Sequence, residues 1–229
     1  MIRTMLFLRM QATTIGSGAA ADPFAARGDE ARRRLQAAGI PVRGYTQSRA
    51  LSQQIEGREP TAFSGVAECL FADLADARAL AAQPARLAPL LAPGAEVFAL
   101  VAGSDYIVMR LPAHTTAPGI KGVFPFRRRS DLDMSAFAAH WRYRHGPIAA
   151  LTESALCYRQ CHIAMPSWSD GSVQPFDAVT ELFWPDVAAA RASMASRQMR
   201  EDQGADARNF VDPNSVLLVL AEEEVVLAP

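Results

Sequence analysis

Hydrophobic positions alternate with polar ones, then recur every three or four residues, then alternate again, and this order is met twice along the chain. In the first pass, residues 2–9 read as a buried strand and 11–22 as a loop of small and polar residues. Asp22-Pro23 opens a helix, since proline is tolerated in a first turn, and that helix reaches Ala38 and stops at Gly39-Ile40-Pro41. Val42 to Arg49 is a strand, 50–61 a polar loop, Phe63 to Phe71 a strand and Leu74 to Ala82 a helix. A short helix follows to Leu91, then a turn at Pro93-Gly94, then two strands, Val97 to Val101 and Tyr106 to Met109. Pro112 to Gly119, with two prolines and His114, reads as a linker. The second pass runs Ile120 to Phe126 (strand), a helix around Phe137, a strand at Tyr158 and a loop over 165–174. Phe176 to Trp184 (strand), Val187 to Met199 (helix) and Val216 to Leu220 (strand) complete it. Each pass is β-α-β-β-α-β, the order of a ferredoxin-like unit.

The two passes align at one shift. Tyr45 and Tyr158 lie 113 positions apart, as do Gln47 and Gln160, Phe63 and Phe176, Glu68 and Glu181, Asp73 and Asp186, and Arg78 and Arg191. One shift through a strand, a loop, a second strand and a helix start predicts an internal duplication, with units at 1–112 and 119–229. The copies differ where chemistry would sit. The first-half helix has Arg32-Arg33-Arg34 but no Trp, no His and no Gly-Pro, and Arg49 stands where the second half has His162. A histidine-based site would therefore belong to the second half.

That half concentrates three of the four histidines between Phe137 and His162. Phe137, Trp141 and His145 recur every four residues and share a helical stripe with His140 beside it. Asp133 is the expected N-cap, Leu132 and Phe137 have the spacing of a hydrophobic staple, and Gly146-Pro147 is expected to end the helix. Tyr158, Gln160 and His162 alternate and so share one face of a strand.

The W-x-x-x-H-x-P and Y-x-Q-x-H signatures, in this order, with the Glu181-Leu182-Phe183-Trp184 strand and the acidic Glu201-Asp202 segment, resemble the EthD family of the dimeric α/β-barrel superfamily, over about residues 119–222. The resemblance implies an α+β fold: two ferredoxin-like βαββαβ units packed sheet to sheet as a pseudo-dimeric α/β barrel, the first repeat degenerate. It also implies small-molecule chemistry. Relatives include isomerases, dehydratases, decarboxylases and monooxygenases of aromatic or polyketide-like compounds.

His145, near a helix C-terminus where imidazolium is favoured, is a candidate acid or donor; a cap on backbone carbonyls is the alternative. His162 and Tyr158 are candidate proton carriers and Gln160 a candidate carbonyl-orienting group, against a polar strand face in water. His140 is a second carrier or a rim residue, and Trp141 a core or pocket wall. Glu181 would pair with a histidine or bond to a backbone amide. Both arginine triplets, 32–34 and 127–129, read as solvated surface that could meet an anionic substrate.

Composition narrows the classes. Net charge is −1, from 23 basic and 24 acidic residues, so neither nucleic acid nor an anionic membrane is an expected partner. Half the residues are hydrophobic, enough for a packed core, but no stretch nears the roughly 20 apolar residues of a membrane span. Arg9 breaks the first apolar run too early for a signal peptide. Cys69, Cys157 and Cys161 fit reduced thiols in the cytoplasm rather than a metal site, because no second cysteine pair completes four ligands. His140 and His145 lack the i, i+4 spacing of a helical zinc pair, and nucleotide loops and nucleophile elbows are absent. The expected protein is a cofactor-independent lyase, dehydratase or isomerase, with His145, His162 and Tyr158 catalytic and His140, Trp141, Gln160 and Glu181 binding a small-molecule substrate; a homodimer of the tandem chain is compatible. A ligand-binding accessory protein and a haem protein are the alternatives.

Overall fold

The structure is a computed structural model that describes residues 1–10, 24, 29–51, 63–81, 95–109, 119–164 and 175–228. His114, the linker and the short helix expected before Leu91 lie outside these residues. Compactness divides the chain into unit 1 (1–104, 163–175 and 221–229) and unit 2 (105–162 and 176–220).

Unit 1 holds β1 (Ile2–Met10), α1 (Asp29–Ala37), β2 (Gly44–Ala50), β3 (Gly65–Phe71) and α2 (Leu74–Ala81). β1 pairs antiparallel with β3 and with β4 (Ala95–Met109), and β3 pairs with β2. α1 ends as expected, with Gly39 at φ 65 and Ile40 N–H donating to Leu35 O, a left-handed cap that favours glycine. Leu6, Leu8, Leu35, Tyr45, Ala67 and Phe71 form the core beneath the helices.

Unit 2 holds β5 (Ile120–Phe126), α3 (Met134–His140), a π turn (Trp141–His145) and α4 (Gly146–Ala149). β6 (Cys157–Ile163), β7 (Ala178–Trp184) and α5 (Val187–Ala195) follow. A second π turn (Gln198–Gln203) and α6 (Gly204–Ala207) come next, and β8 (Val219–Leu227) begins in unit 2 and continues into unit 1 from Ala221. β7 pairs antiparallel with β5 and β6. No described helix is long and apolar enough to cross a membrane.

The repeat is visible in the register. β2 and β6 have bounds 113 residues apart, as do β3 and β7. Tyr45 sits opposite Cys69 as Tyr158 sits opposite Leu182, and Thr46 opposite Glu68 as Arg159 opposite Glu181. Asp73 accepts the Asp76 N–H, and Asp186 accepts the Ala189 N–H, so each copy opens its second helix with the same cap. Each copy also buries an ion pair on the strand face away from its helices. Arg3 meets Glu68 at 2.6 Å, while Glu181 meets Lys121 at 3.0 Å and Arg159 at 3.1 Å.

Four boundaries depart from the sequence reading. The two strands expected between Val97 and Met109 are one, because Gly103 stays extended opposite Arg3 of β1. The last strand runs on through Glu222-Glu223-Glu224 to Leu227, because β2 supplies a ladder partner and Arg49 meets Glu224 at 2.9 Å. Residues 221–229 group with unit 1. The helix expected from Val187 to Met199 stops at Ala195, where Ser196 turns extended (ψ 157), and resumes as the second π turn. Gly146-Pro147 does not end its helix: Gly146 is helical (φ −50), and its N–H bonds five residues back to Trp141 O. The wider turn carries the chain past proline, which occupies the first turn of α4 where its missing N–H costs little.

Candidate functional site

The described site is built entirely within unit 2. Asp133 caps α3 by accepting the Ala136 N–H at 2.7 Å, and Leu132 packs with the Phe137 cluster, as the staple requires. Phe137 and Trp141 are buried and stack at 5.7 Å, with Phe126 edge-on to both. This aromatic core fixes the face of α3 that carries histidine. Replacing either ring by alanine would cost about 3–5 kcal/mol.

His140 and His145 converge on a residue the sequence reading missed. Asp206, in α6, receives His140 Nε2 at 3.0 Å on one oxygen and His145 Nδ1 at 2.9 Å on the other. Phe210 lies against both imidazoles, at 5.1 Å and 4.9 Å. The second π turn is held in place by Gln198 donating to Ile148 O and Gln203 donating to Thr152 Oγ1. The 127–129 side chains are largely solvent-facing, as read from the sequence, while their backbone ties this segment to the site. Arg129 N–H donates to Phe210 O, Arg127 O accepts from Asp212, and Arg129 forms a bidentate pair with Asp131. Asp206 and Phe210 are four apart, so a helix carried past Met199 would have placed a carboxylate and a ring on one stripe. Stopping that helix at Met199 hid the signal.

The electrostatics make His145 a neutral imidazole with an anionic neighbour. Burial pushes its pKa below the ordinary histidine value, with the Asp206 carboxylate pulling the other way. Burial of Asp206 raises its own pKa, but the hydrogen bonds from His140 and His145 outweigh that and hold it below the usual carboxylate range. The carboxylate takes the proton-bearing Nδ1 of neutral His145, which leaves Nε2 as the lone pair, without a protein partner among the described residues.

The strand residues form a separate chain of contacts. Gln160 is fully buried; its Nε2 donates to Trp141 O at 2.9 Å and to Tyr158 Oη at 2.8 Å. His162 Nε2 meets Gln160 Oε1 at 2.9 Å, and its ring lies 4.5 Å from Trp141. Burial, followed by the Arg142 charge, lowers the His162 pKa to about 4. Burial of Tyr158 raises its hydroxyl to about 12, against the hydrogen bond from Gln160. The strand face thus meets the helix as expected, and the histidines divide: His140 and His145 on Asp206, His162 on Gln160 and Trp141. Glu181 pairs with Lys121 and Arg159 instead of a histidine.

A profile for the EthD domain matches residues 129–214, which include His140, His145, Tyr158, Gln160, His162 and Asp206. Over residues 129–214 the chain is similar to the EthD domain. No curated protein sequence matches the chain. Among solved structures, an anthrone oxidase-like protein is 9% identical over 98% of this chain and 93% of its own, with a TM-score of 0.54. A variant chlorite dismutase from Candidatus Nitrospira defluvii is 12% identical over 96% and 90%, with a TM-score of 0.50. An EthD family protein from Bacillus halodurans is 18% identical over 46% of this chain and 98% of its own, at a TM-score of 0.38. The likeness is one of fold. It is the α+β, ferredoxin-like α/β-barrel class that the repeat and the EthD signatures led one to expect.

Proposed function

We propose that this EthD-like protein is an enzyme of small-molecule acid/base chemistry, with His145 as the proton carrier. The observation that carries the reading is the buried imidazole bound through Nδ1 to a carboxylate, its pKa lowered by burial, with no protein partner at Nε2 among the described residues. Asp206 fixes the tautomer and stabilises the imidazolium that forms on proton uptake, and His140 holds the second oxygen of that carboxylate. Nε2 takes a proton from an acidic C–H or O–H and returns it to another carbon or to a leaving oxygen. That is a lyase, dehydratase or isomerase step on an enolisable or phenolic molecule, aromatic or polyketide-like, and it needs no cofactor. His162, Tyr158, Gln160 and Trp141 contribute the ligand side of the site, with Tyr158 and Gln160 supporting it from within. Glu181, paired with Lys121 and Arg159, has a structural part. The working organisation is a degenerate unit at 1–112 and an active one at 119–229, supported by the identical strand registers. A homodimer of the tandem chain and a cytoplasmic setting belong to the same reading; buried, unbridged Cys69, Cys157 and Cys161 support the latter.

Haem binding draws on the same geometry, because an imidazole whose Nδ1 donates to a carboxylate is also the form that ligates iron through Nε2. A Soret band on the purified protein separates the two readings. The test of the first is a screen of phenols, lactones and β-keto compounds, followed by His145→Gln. Its kcat should fall roughly 10²–10⁴-fold with folding intact. Turnover at the wild-type rate would remove His145 from the reaction.

A further inference from the structure

Gln160 has two amide hydrogens, and both have acceptors: the Trp141 carbonyl and the Tyr158 hydroxyl. A carbonyl can only accept, so the amide cannot be turned over without setting oxygen against oxygen. Oε1 therefore faces His162 and requires a donor there. The other copy of the repeat supplies an independent check. Gln47 Nε2 donates to Tyr45 Oη at 3.1 Å, and the residue at the His162 position is Arg49, whose Nη2 donates to Gln47 Oε1. Arginine has no acceptor, so the glutamine oxygen faces this position in both copies. His162 must then carry its proton on Nε2. The ring is neutral, because burial and the Arg142 charge both oppose protonation. Its Nδ1 is consequently a bare lone pair, with no hydrogen-bond partner among the described residues.

We infer that His162 is a tautomer-locked acceptor that recognises the hydroxyl of a neutral phenol or enol at Nδ1, rather than a second proton carrier. This deepens the function proposed above and rests on it: the ligand class becomes molecules that present an O–H beside the Trp141 ring. Arg49 marks why the first copy cannot do the same, since a pure donor occupies the equivalent place.

The test uses the whole protein, phenol as probe and anisole as its counterpart without a donor. In ¹⁵N-labelled protein at pH 7, imidazole correlations should show His162 as the neutral Nε2–H tautomer. Phenol should shift the His162 Nδ1 resonance and bind about tenfold more tightly than anisole, the usual worth of one such hydrogen bond. His162→Arg, which copies the first half, should keep the Gln160 contact and abolish that preference. A protonated His162, an Nδ1–H tautomer, or equal binding of phenol and anisole to the wild type would each overturn the inference; so would an undiminished phenol preference in His162→Arg. None of these readings requires turnover, so they fail separately from the His145 reading, which stands on kcat.

Discussion

Asp206→Asn keeps the shape of the side chain and removes one acceptor. In the wild type, one carboxylate oxygen receives His140 at 3.0 Å and the other receives His145 at 2.9 Å. Asparagine offers a single oxygen. Whichever imidazole meets the new NH₂ must present a lone pair, and so must move its proton to the far nitrogen. If His145 is the one that changes, Nε2 becomes the N–H and the base is lost. Hydrogen bonds to a charged group are worth roughly 1.5–3 kcal/mol. With the Asp206 side chain only 14% exposed, replacing two hydrogen bonds to a charged group by neutral ones, one of them at the cost of a tautomer change, should lower stability by about 2–3 kcal/mol. Turnover should fall roughly 10²–10⁴-fold. The His145 titration should move further down, because the carboxylate that opposes burial is gone. The folded-state pKa of Asp206 is depressed, so its contribution is present above the ordinary carboxylate pKa and lost as pH falls through the folded value. The gap between wild type and variant should therefore close in acid. Urea unfolding at several pH values and imidazole NMR measure all but the rate. A variant of wild-type stability with an unmoved His145 titration would show that the carboxylate does not govern this imidazole.

His162 carries a depressed pKa of about 4, so stability should be full above about pH 6.5, the ordinary histidine value, and fall as pH drops towards 4. Since the residue is only partly buried, the loss should be of order 1–2 kcal/mol, and His162→Gln should flatten that part of the urea-midpoint profile. Lys121→Met strips a fully buried partner from Glu181 and leaves Arg159, so unfolding free energy should drop by about 3 kcal/mol; a drop below about 1 would mean that Arg159 alone suffices. Gly146→Ala should be neutral or stabilising by up to about 1 kcal/mol, because φ is helical and a Cβ would meet Trp141 O at 3.5 Å and Gln160 Nε2 at 3.6 Å, ordinary contacts. A fall in its thermal midpoint would show the turn to be tighter than this.

Much of the architecture was legible because it rests on local signals repeated in two places. The 113-residue shift recovers strand bounds and registers, since a buried strand face tolerates no slip. The Asp133 cap and the Gly39 stop follow from side-chain and backbone chemistry read within five residues. Of the candidate site, the approach of the His140-Trp141-His145 stripe to the Tyr158-Gln160-His162 face was legible. The pairing of the histidines was not, because a carboxylate 61 residues from His145 decides it. Glu181 looked available to a histidine, while Lys121 and Arg159 claim it from neighbouring strands. The helix through Gly146-Pro147 was misread because glycine followed by proline signals a stop only when the preceding turn has α geometry.

The Trp141–His145 turn uses a five-residue spacing where α-helical bonding would need four. The segment therefore holds one residue more than a regular helix of the same reach. In an α-helix each residue turns the chain by about 100°. Losing that one position would swing His145 off the carboxylate while leaving Phe137 and the N-cap untouched. The His145–Asp206 contact thus hangs on chain length as much as on residue identity. An insertion or deletion inside this turn would break that contact with every histidine intact, and an alignment drawn through it without a gap will match the wrong side chains.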